Sequence, residues 1–273
     1  MATTNSFEGR WALVTGASSG IGTALARELA RLGAKLVLTA RRRDRLEALA
    51  VELAAAGVQT RIVTADLNDP AAPQRIYDAT EGAGLPIEIL ANNAGLGQYG
   101  AFYRSNPEQE CGMVRVNCEA VVRLSRLFVP RMVERRRGWV LIVASTASFQ
   151  PLPYLATYAA TKAFDRFFAL GLAEELAPYG IRVTALCPGT TESEFFEVAG
   201  AAVFRGRKLQ SAEEVARRSL AALARGKRTI LPKRSGKLTA FLVRFFPTSL
   251  VTGLVERAAR PKTGPPAPGA GSR

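Results

Sequence analysis

A chain of 273 residues with 48% hydrophobic and 22% charged residues has the size and apolar content of one α/β domain with a sizeable core. It contains no histidine and three cysteines, Cys111, Cys118 and Cys187, which leaves little material for a serine–histidine triad or a common zinc site. The net charge of +14 is concentrated: residues 1–204 carry 21 basic and 20 acidic side chains, residues 205–273 carry 16 and 3, so an anionic partner is expected of the C-terminal part alone.

Short apolar runs alternate with helical patterns along the chain. WALVTG is followed by IGTALARELARLG, closed by Gly33, and KLVLTA by RDRLEALAVELAAAG; TRIVTADL, IEILANNAG and WVLIVAS come later. These runs lack the polar alternation of a one-sided sheet, so both faces are expected to be covered. Strands alternating with helices predict a single-domain Rossmann fold, a doubly wound parallel seven-stranded sheet with right-handed crossovers. Strands are expected at residues 11–15, 35–39, 61–64, 87–91, 139–144 and 181–186, with a seventh near Thr229 to Leu231. One long helical stretch is read from Glu108 to Arg137, and another from Tyr154 to Ala177, ended by Pro178 and Gly180.

Thr15-Gly16-Ala17-Ser18-Ser19-Gly20-Ile21-Gly22 joins the first strand to the first helix, where a dinucleotide pyrophosphate can lie on the free amides of a helix N-terminus. Gly16 permits the tight turn, Gly20 a close approach of backbone to phosphate, and Gly22 close packing of helix on strand. After the second strand the chain reads Arg41-Arg42-Arg43, with no acid before Asp44 to meet ribose hydroxyls. A guanidinium there can pair with a 2′-phosphate, so the reading is NADPH over NADH, with Arg41 as first choice for the contact and Arg42 as second.

Six elements occur in order: TGASSGIG at 15–22, NNAG at 92–95, Asn117, Ser145, Tyr158-Ala-Ala-Thr-Lys162 and Cys187-Pro188-Gly189. Together they resemble the short-chain dehydrogenase/reductase family over about residues 9–200. Within it the chain looks most similar to a bacterial group with a basic, hydrophobic C-terminus. The resemblance implies that Asp66, with Leu67 beside it, meets the adenine, that Asn92, Asn93, Ala94 and Gly95 brace sheet and cofactor, and that Pro188 and Gly189 flank the nicotinamide. Where the family writes PGxxxT, this chain has Pro188-Gly189-Thr190-Thr191-Glu192-Ser193; Thr191 and Ser193 are expected cofactor contacts, with the Ser193 hydroxyl at the carboxamide.

Tyr158 and Lys162 are four apart on a predicted helix, so their side chains share one face. A nearby ammonium and the nicotinamide charge favour a phenolate and are expected to lower the tyrosine pKa from ~10, making Tyr158 the general acid in reduction and the general base in oxidation. By resemblance, Lys162 also bonds the nicotinamide ribose, Ser145 holds the carbonyl oxygen, and Asn117 keeps a water that relays protons through the lysine. Ser148, ten residues before Tyr158, is the rival of Ser145 at thirteen. These residues point to NADPH-dependent reduction of a ketone or aldehyde, reversible as alcohol oxidation. The alternative is a non-catalytic dinucleotide-binding interaction protein at a membrane surface.

Leu96, Tyr99, Phe102, Phe149, Pro151, Leu152, Tyr154, Phe195, Phe196 and Phe204 fall near the expected substrate mouth and favour an apolar, acyl, steroid or aromatic carbonyl. The Rossmann domain is expected over residues 1–235, an amphipathic helical extension over 236–260 and a disordered tail over 261–273. In the extension, KLTAFLVRFFPTSLVTGLVERAAR is divided by Pro247 into two pieces too short to span a bilayer. They fit peripheral contact with an anionic membrane surface, in competition with a subunit interface or a pocket cover. The expected partners are a small-molecule carbonyl substrate and further copies of the chain in a dimer or tetramer. No nucleic acid is expected, because no reading motif accompanies the basic residues. An odd cysteine count and a start without a charged segment leading into a long apolar run read as a cytoplasmic protein without a signal peptide.

Overall fold

The computed structural model describes residues 6–192, 209–233, 241–243 and 245–261. Among them, seven strands form one parallel sheet: β1 (Trp11–Thr15), β2 (Lys35–Thr39), β3 (Thr60–Ile62), β4 (Ile87–Asn92), β5 (Gly138–Val143), β6 (Ile181–Leu186) and β7 (Thr229–Ile230). Their order is β3-β2-β1-β4-β5-β6-β7, the doubly wound arrangement expected. The reversal of order between β1 and β4 opens a crevice at the strands' C-terminal ends, where such sheets hold ligands.

Because side chains alternate across a strand, each apolar run feeds two cores. On one face Ala12, Val14, Leu36, Leu38 and Leu141 pack with α1 (Gly20–Arg31), α2 (Arg43–Ala55) and α7 (Ala212–Ala224) through Leu25, Leu29, Leu46, Leu220 and Leu223. On the other, Leu13, Val37, Leu90, Val140 and Ile142 meet α3 (Ala72–Asp78), α5 (Ala120–Glu134) and α6 (Ala156–Leu176) through Ile76, Leu124, Phe128 and Leu176. Each fully buried leucine or isoleucine contributes roughly 1.5–3 kcal/mol, so the two layers fix the sheet's register.

The stretch read as one helix from Glu108 is two. α4 (Pro107–Val114) passes into α5 through a π-helical turn at Arg115–Glu119. Such a turn carries one more residue than an α turn and re-aims the side chains on it; here it carries Asn117, fully buried. Hydrophobic periodicity does not register a single inserted residue, which is why the sequence reads through it. α8 (Thr248–Ala259) follows Pro247, whose fixed φ starts the helix.

Glycine is required where α1 crosses β1. A Cβ on Gly22 would lie 2.1 Å from the Gly16 carbonyl oxygen and 2.6 Å from Asn93 Nδ2. Gly171, on the exposed face of α6, would meet nothing within 4 Å. Gly22→Ala is therefore expected to destabilise the fold by about 2–3 kcal/mol through overpacking, and Gly171→Ala to stabilise it by up to about 1 kcal/mol through helix propensity. Thermal unfolding should show opposite shifts of Tm, and a Gly22 variant as stable as the parent would contradict the close approach.

Candidate active site

A cavity of about 850 Å³ lies over the crevice. Its first wall is the β1–α1 turn. Gly16 takes φ +66, a left-handed conformation that a side chain disfavours. Ser19 caps α1 without a side-chain hydrogen bond, so no cap side chain occupies the amides at the start of the helix, where Ser18, Ser19 and Gly20 line the cavity. Ile21 and Gly22 complete that wall.

Arg41 and Arg42 both line the rim. Arg41 is exposed, whereas Arg42 reaches back across the turn to Ser18, with Nε 3.3 Å and Nη2 3.2 Å from the serine Oγ. Arg42, the second choice from sequence, is thus the arginine held in place beside the glycine turn. Asp66 and Leu67 form the neighbouring wall, and Asp66 Oδ1 accepts the Asn68 amide at 3.0 Å.

The end of β4 is tied down by its own asparagines. Asn93 Nδ2 donates to the Thr15 carbonyl at 2.8 Å, and the Thr15 hydroxyl accepts the amides of Asn93 and Ala94, each at 3.0 Å. Asn92 Nδ2 donates to Ser125 Oγ on α5 at 3.2 Å. Ala94 and Gly95 then border the cavity. Asn117, behind them, uses both amide hydrogens, on the Leu96 carbonyl and Thr161 Oγ1 (2.9 Å each), while its Oδ1 accepts the Leu96 amide at 2.8 Å. The side chain is spent on bracing the segment after Gly95.

Ser145, Tyr158 and Lys162 converge on the same cavity. Ser145 shares a side-chain hydrogen bond with the Tyr158 hydroxyl and also caps the next turn by accepting the Ala147 amide at 3.1 Å. Ser148 is buried and turns its hydroxyl onto the Ser145 carbonyl at 2.6 Å. Lys162 Nζ donates to the Val143 carbonyl at 2.8 Å and to Asp165 Oδ2 at 2.9 Å. Burial pushes the Tyr158 phenol above its usual range, with Lys162 and Ser145 pulling it down and Asp165 adding a small upward push. Of the two causes expected to lower it only the ammonium acts here, and without the nicotinamide charge desolvation outweighs it. Burial opposes the Lys162 charge, but Asp165 and Tyr158 outweigh it and keep the ammonium above its ordinary range.

On the opposite side, Pro188, Gly189 and Thr191 line the cavity, and Gln210 secures them by accepting the Gly189 amide at 3.1 Å. Ser193, Phe195, Phe196 and Phe204 lie outside the described residues. Of the expected apolar mouth, Leu96, Phe149 and Leu152 line the cavity, while Pro151 and Phe102 are exposed. Tyr99 and Tyr154 instead hold α8: Tyr99 donates to the Ala259 carbonyl and Tyr154 to Glu256 Oε1, both at 2.6 Å. Hydrogen bonds from Arg260 and Tyr154 bring the Glu256 carboxyl down to about 2. Tyr154 does this from φ +65, a conformation uncommon outside glycine. Val255, Ala258 and Ala259 close the cavity from α8. Sequence reading missed Gln210 and Asp165, and held a pocket cover only as a competitor of membrane contact for the segment that forms this wall; a lysine and an aspartate three apart on one helix were the available signal for Asp165.

The family model for short chain dehydrogenase matches residues 10–202. The chain is 37% identical over 187 residues to a very-long-chain 3-oxoacyl-CoA reductase-B of Danio rerio and, equally, to a very-long-chain 3-oxoacyl-CoA reductase of Homo sapiens; the match covers 66% of this chain. It spans 59% of the length of those curated relatives. Among solved structures it resembles a short-chain dehydrogenase from Sphingobium yanoikuyae in complex with NADPH, at 33% identity and TM-score 0.79 over 87% of this chain and 96% of that one. It also resembles a short chain dehydrogenase/reductase from Burkholderia phymatum in complex with NAD, at 26% identity and TM-score 0.80 over 87% and 93%. Vertebrate relatives at this identity do not bear out a narrowing to a bacterial group. The glycine turn, the braced asparagines and the Ser145–Tyr158–Lys162 cluster all fall within the matched residues, and the chain belongs to the short-chain dehydrogenase family.

Proposed function

We propose that the chain reduces the keto group of an apolar acyl substrate, a 3-oxoacyl thioester in the first instance, with NADPH as reductant. The observation that carries the reading is the convergence of Ser145, Tyr158 and Lys162 on the cavity that the glycine turn also lines. The family match and the 3-oxoacyl-CoA reductases among the relatives support it.

The residues present fit a dinucleotide. The left-handed Gly16 and the space that Gly22 leaves empty let backbone come close to a pyrophosphate, and Arg42 beside Ser18 places a guanidinium where a 2′-phosphate would extend. Bound NADPH supplies the hydride to the carbonyl carbon. Ser145 holds the carbonyl oxygen by its hydroxyl, and Tyr158 donates the proton that completes the alcohol. Lys162, fixed by Val143 and Asp165, carries a positive charge beside the tyrosinate that donation leaves, and its remaining donor would serve the ribose. Asp66 and Leu67 bound the adenine, and Pro188, Gly189, Thr191 and Ser193 serve the nicotinamide side. Asn117 acts through Leu96, keeping Gly95 open toward Lys162.

α8 is the far wall of the acyl pocket. Its cavity side is small, with Val255, Ala258 and Ala259, whereas Leu250 and Leu254 are exposed, as are Phe241, Phe245 and Phe246 before it. That outer face supports a second reading for location, peripheral contact with an anionic membrane surface. No helix among the described residues is long and apolar enough to cross one. Exposed Phe164 and Phe167 on α6 with Val122 on α5 favour assembly into a homo-oligomer across that face.

Tyr158→Phe should lower turnover about 10²-fold or more while leaving NADPH affinity within about twofold; a nearly active variant removes the assignment. Changing Arg41 and Arg42 together to Ala should weaken NADPH about 10- to 100-fold, the value of a charge-assisted contact, with little effect on NADH. Fluorescence titration measures both, and a parent that prefers NADH contradicts the arginine argument. Val255→Phe should raise KM for long 3-oxoacyl thioesters while leaving short ones and NADPH binding near parental. Equal effects on long and short chains would detach α8 from the pocket.

A further inference from the structure

Asp165 is a carboxylate where burial makes a charge costly. Its side chain is 1% exposed and that of Lys162 is 6% exposed, and the two meet at 2.9 Å across one turn of α6. Asp165 Oδ1 is buried with no hydrogen-bond partner. A buried ion pair is poor evidence for stability, since apolar side chains of similar volume often do as well. A half-satisfied carboxylate is costlier still. Its place beside Lys162 therefore calls for an account in terms of what the lysine does.

Two donors of the Lys162 ammonium are used, on Val143 O and Asp165 Oδ2. The lysine still lines the cavity, and a Cβ on Gly95 would sit 3.4 Å from Nζ. The ammonium thus lies beside Gly95 at the cavity. The ionisable groups around the pair come from several elements. Tyr158 and Arg166 lie on α6, Cys118 on the π turn and Cys187 after β6. Burial pushes both thiols up to about 11, so they are neutral near pH 7. The Arg166 guanidinium stacks on Phe149, 4.1 Å from the ring centroid. Asp165 is then the carboxylate that answers the lysine.

We propose that Asp165 is a positioning residue for this site: it clamps the Lys162 ammonium against the end of β5 with one donor left for a ribose hydroxyl, and its negative charge cancels part of the lysine's attraction for an ionised Tyr158, so that the site retains the proton needed for reduction. This rests on the reading of Tyr158 and Lys162 as the proton-donating pair. A catalytic lysine facing an apolar neighbour would stabilise the tyrosinate more strongly and favour alcohol oxidation at lower pH. With Asp165 in place, the balance is moved toward the protonated phenol.

The test follows tyrosinate absorbance in the near ultraviolet against pH, as the difference between each protein and its own Tyr158→Phe counterpart, with and without saturating NADP+. No carbonyl substrate is needed, so the result is separate from whether 3-oxoacyl thioesters are reduced. In the parent protein without NADP+, the Tyr158 step is expected above the ~10 of free tyrosine. Asp165→Asn and Asp165→Leu should each lower that midpoint, raising the ionisation constant about three- to thirtyfold, the effect of removing a unit charge several ångström away at intermediate permittivity. Both should also weaken NADPH binding several-fold. Loss of charge is common to the two variants, whereas their packing differs, so a shift confined to one marks a merely structural role and overturns the proposal. An unchanged or raised midpoint overturns it as well. Should both variants fail to fold, Asp165→Ser takes their place, with the same drop in midpoint expected and an unchanged or raised midpoint overturning the proposal.

Discussion

The cavity depends on how closely the β1–α1 turn approaches the end of β4. At that junction the Thr15 hydroxyl receives two amides from across the crevice, Asn93 returns a hydrogen bond to the Thr15 carbonyl, and Gly22 leaves no room for even a methyl group. Parallel strands meeting at the reversal of a doubly wound sheet have no neighbour between their C-terminal ends, so their last polar groups must find partners across the gap. Side chains from both strands supply them here. The same bonds set the height of the amides at the start of α1 and the course of the chain through Gly95, so the nucleotide wall and the catalytic wall share one anchor.

A second constraint is electrostatic and acts through consumption of donors. Asn117 and Thr161 use their groups on one another and on the chain around Leu96 and Tyr158, while Lys162 uses two of three on Val143 and Asp165. The Ser145 and Tyr158 hydroxyls, which bond each other, and the lysine ammonium meet at the cavity. A buried group with few open valences is already oriented before a ligand arrives, and little reorganisation is left for the reaction to require.

The sheet was legible because its strands are continuous apolar runs separated by glycine turns, and six of the seven lie within one residue of their expected bounds at each end; β3 ends two residues early, at Ile62. The glycine turn, the asparagines and the Tyr158–Lys162 pair were legible because each needs a fixed residue type at a fixed spacing. Three features left a weaker trace or none. The π turn inserts one residue without changing the polarity pattern of its helix. Gln210 reaches Gly189 from twenty-one residues away, a distance only the tertiary fold closes. Asp165 reads in sequence as one more acid on a charged helix, and only its burial separates it from solvated neighbours such as Glu174 and Glu175.

α8 shows why composition misleads about direction. Its large apolar residues, Leu250 and Leu254, are the ones hydropathy notices, yet they face outward; the residues that touch the cavity are Val255, Ala258 and Ala259, whose side chains are too small to weigh in an apolar stripe. Small residues on the inner side leave volume in the pocket, and the helix is held by hydroxyls at its C-terminal end, Tyr99 on a carbonyl and Tyr154 on Glu256. Hydrogen bonds at one end of a helix fix its distance from the cavity without filling the space beneath it. A wall built in this way leaves length open beneath it, so the volume of the cavity and its Ser145–Tyr158 cluster are governed by separate parts of the sequence.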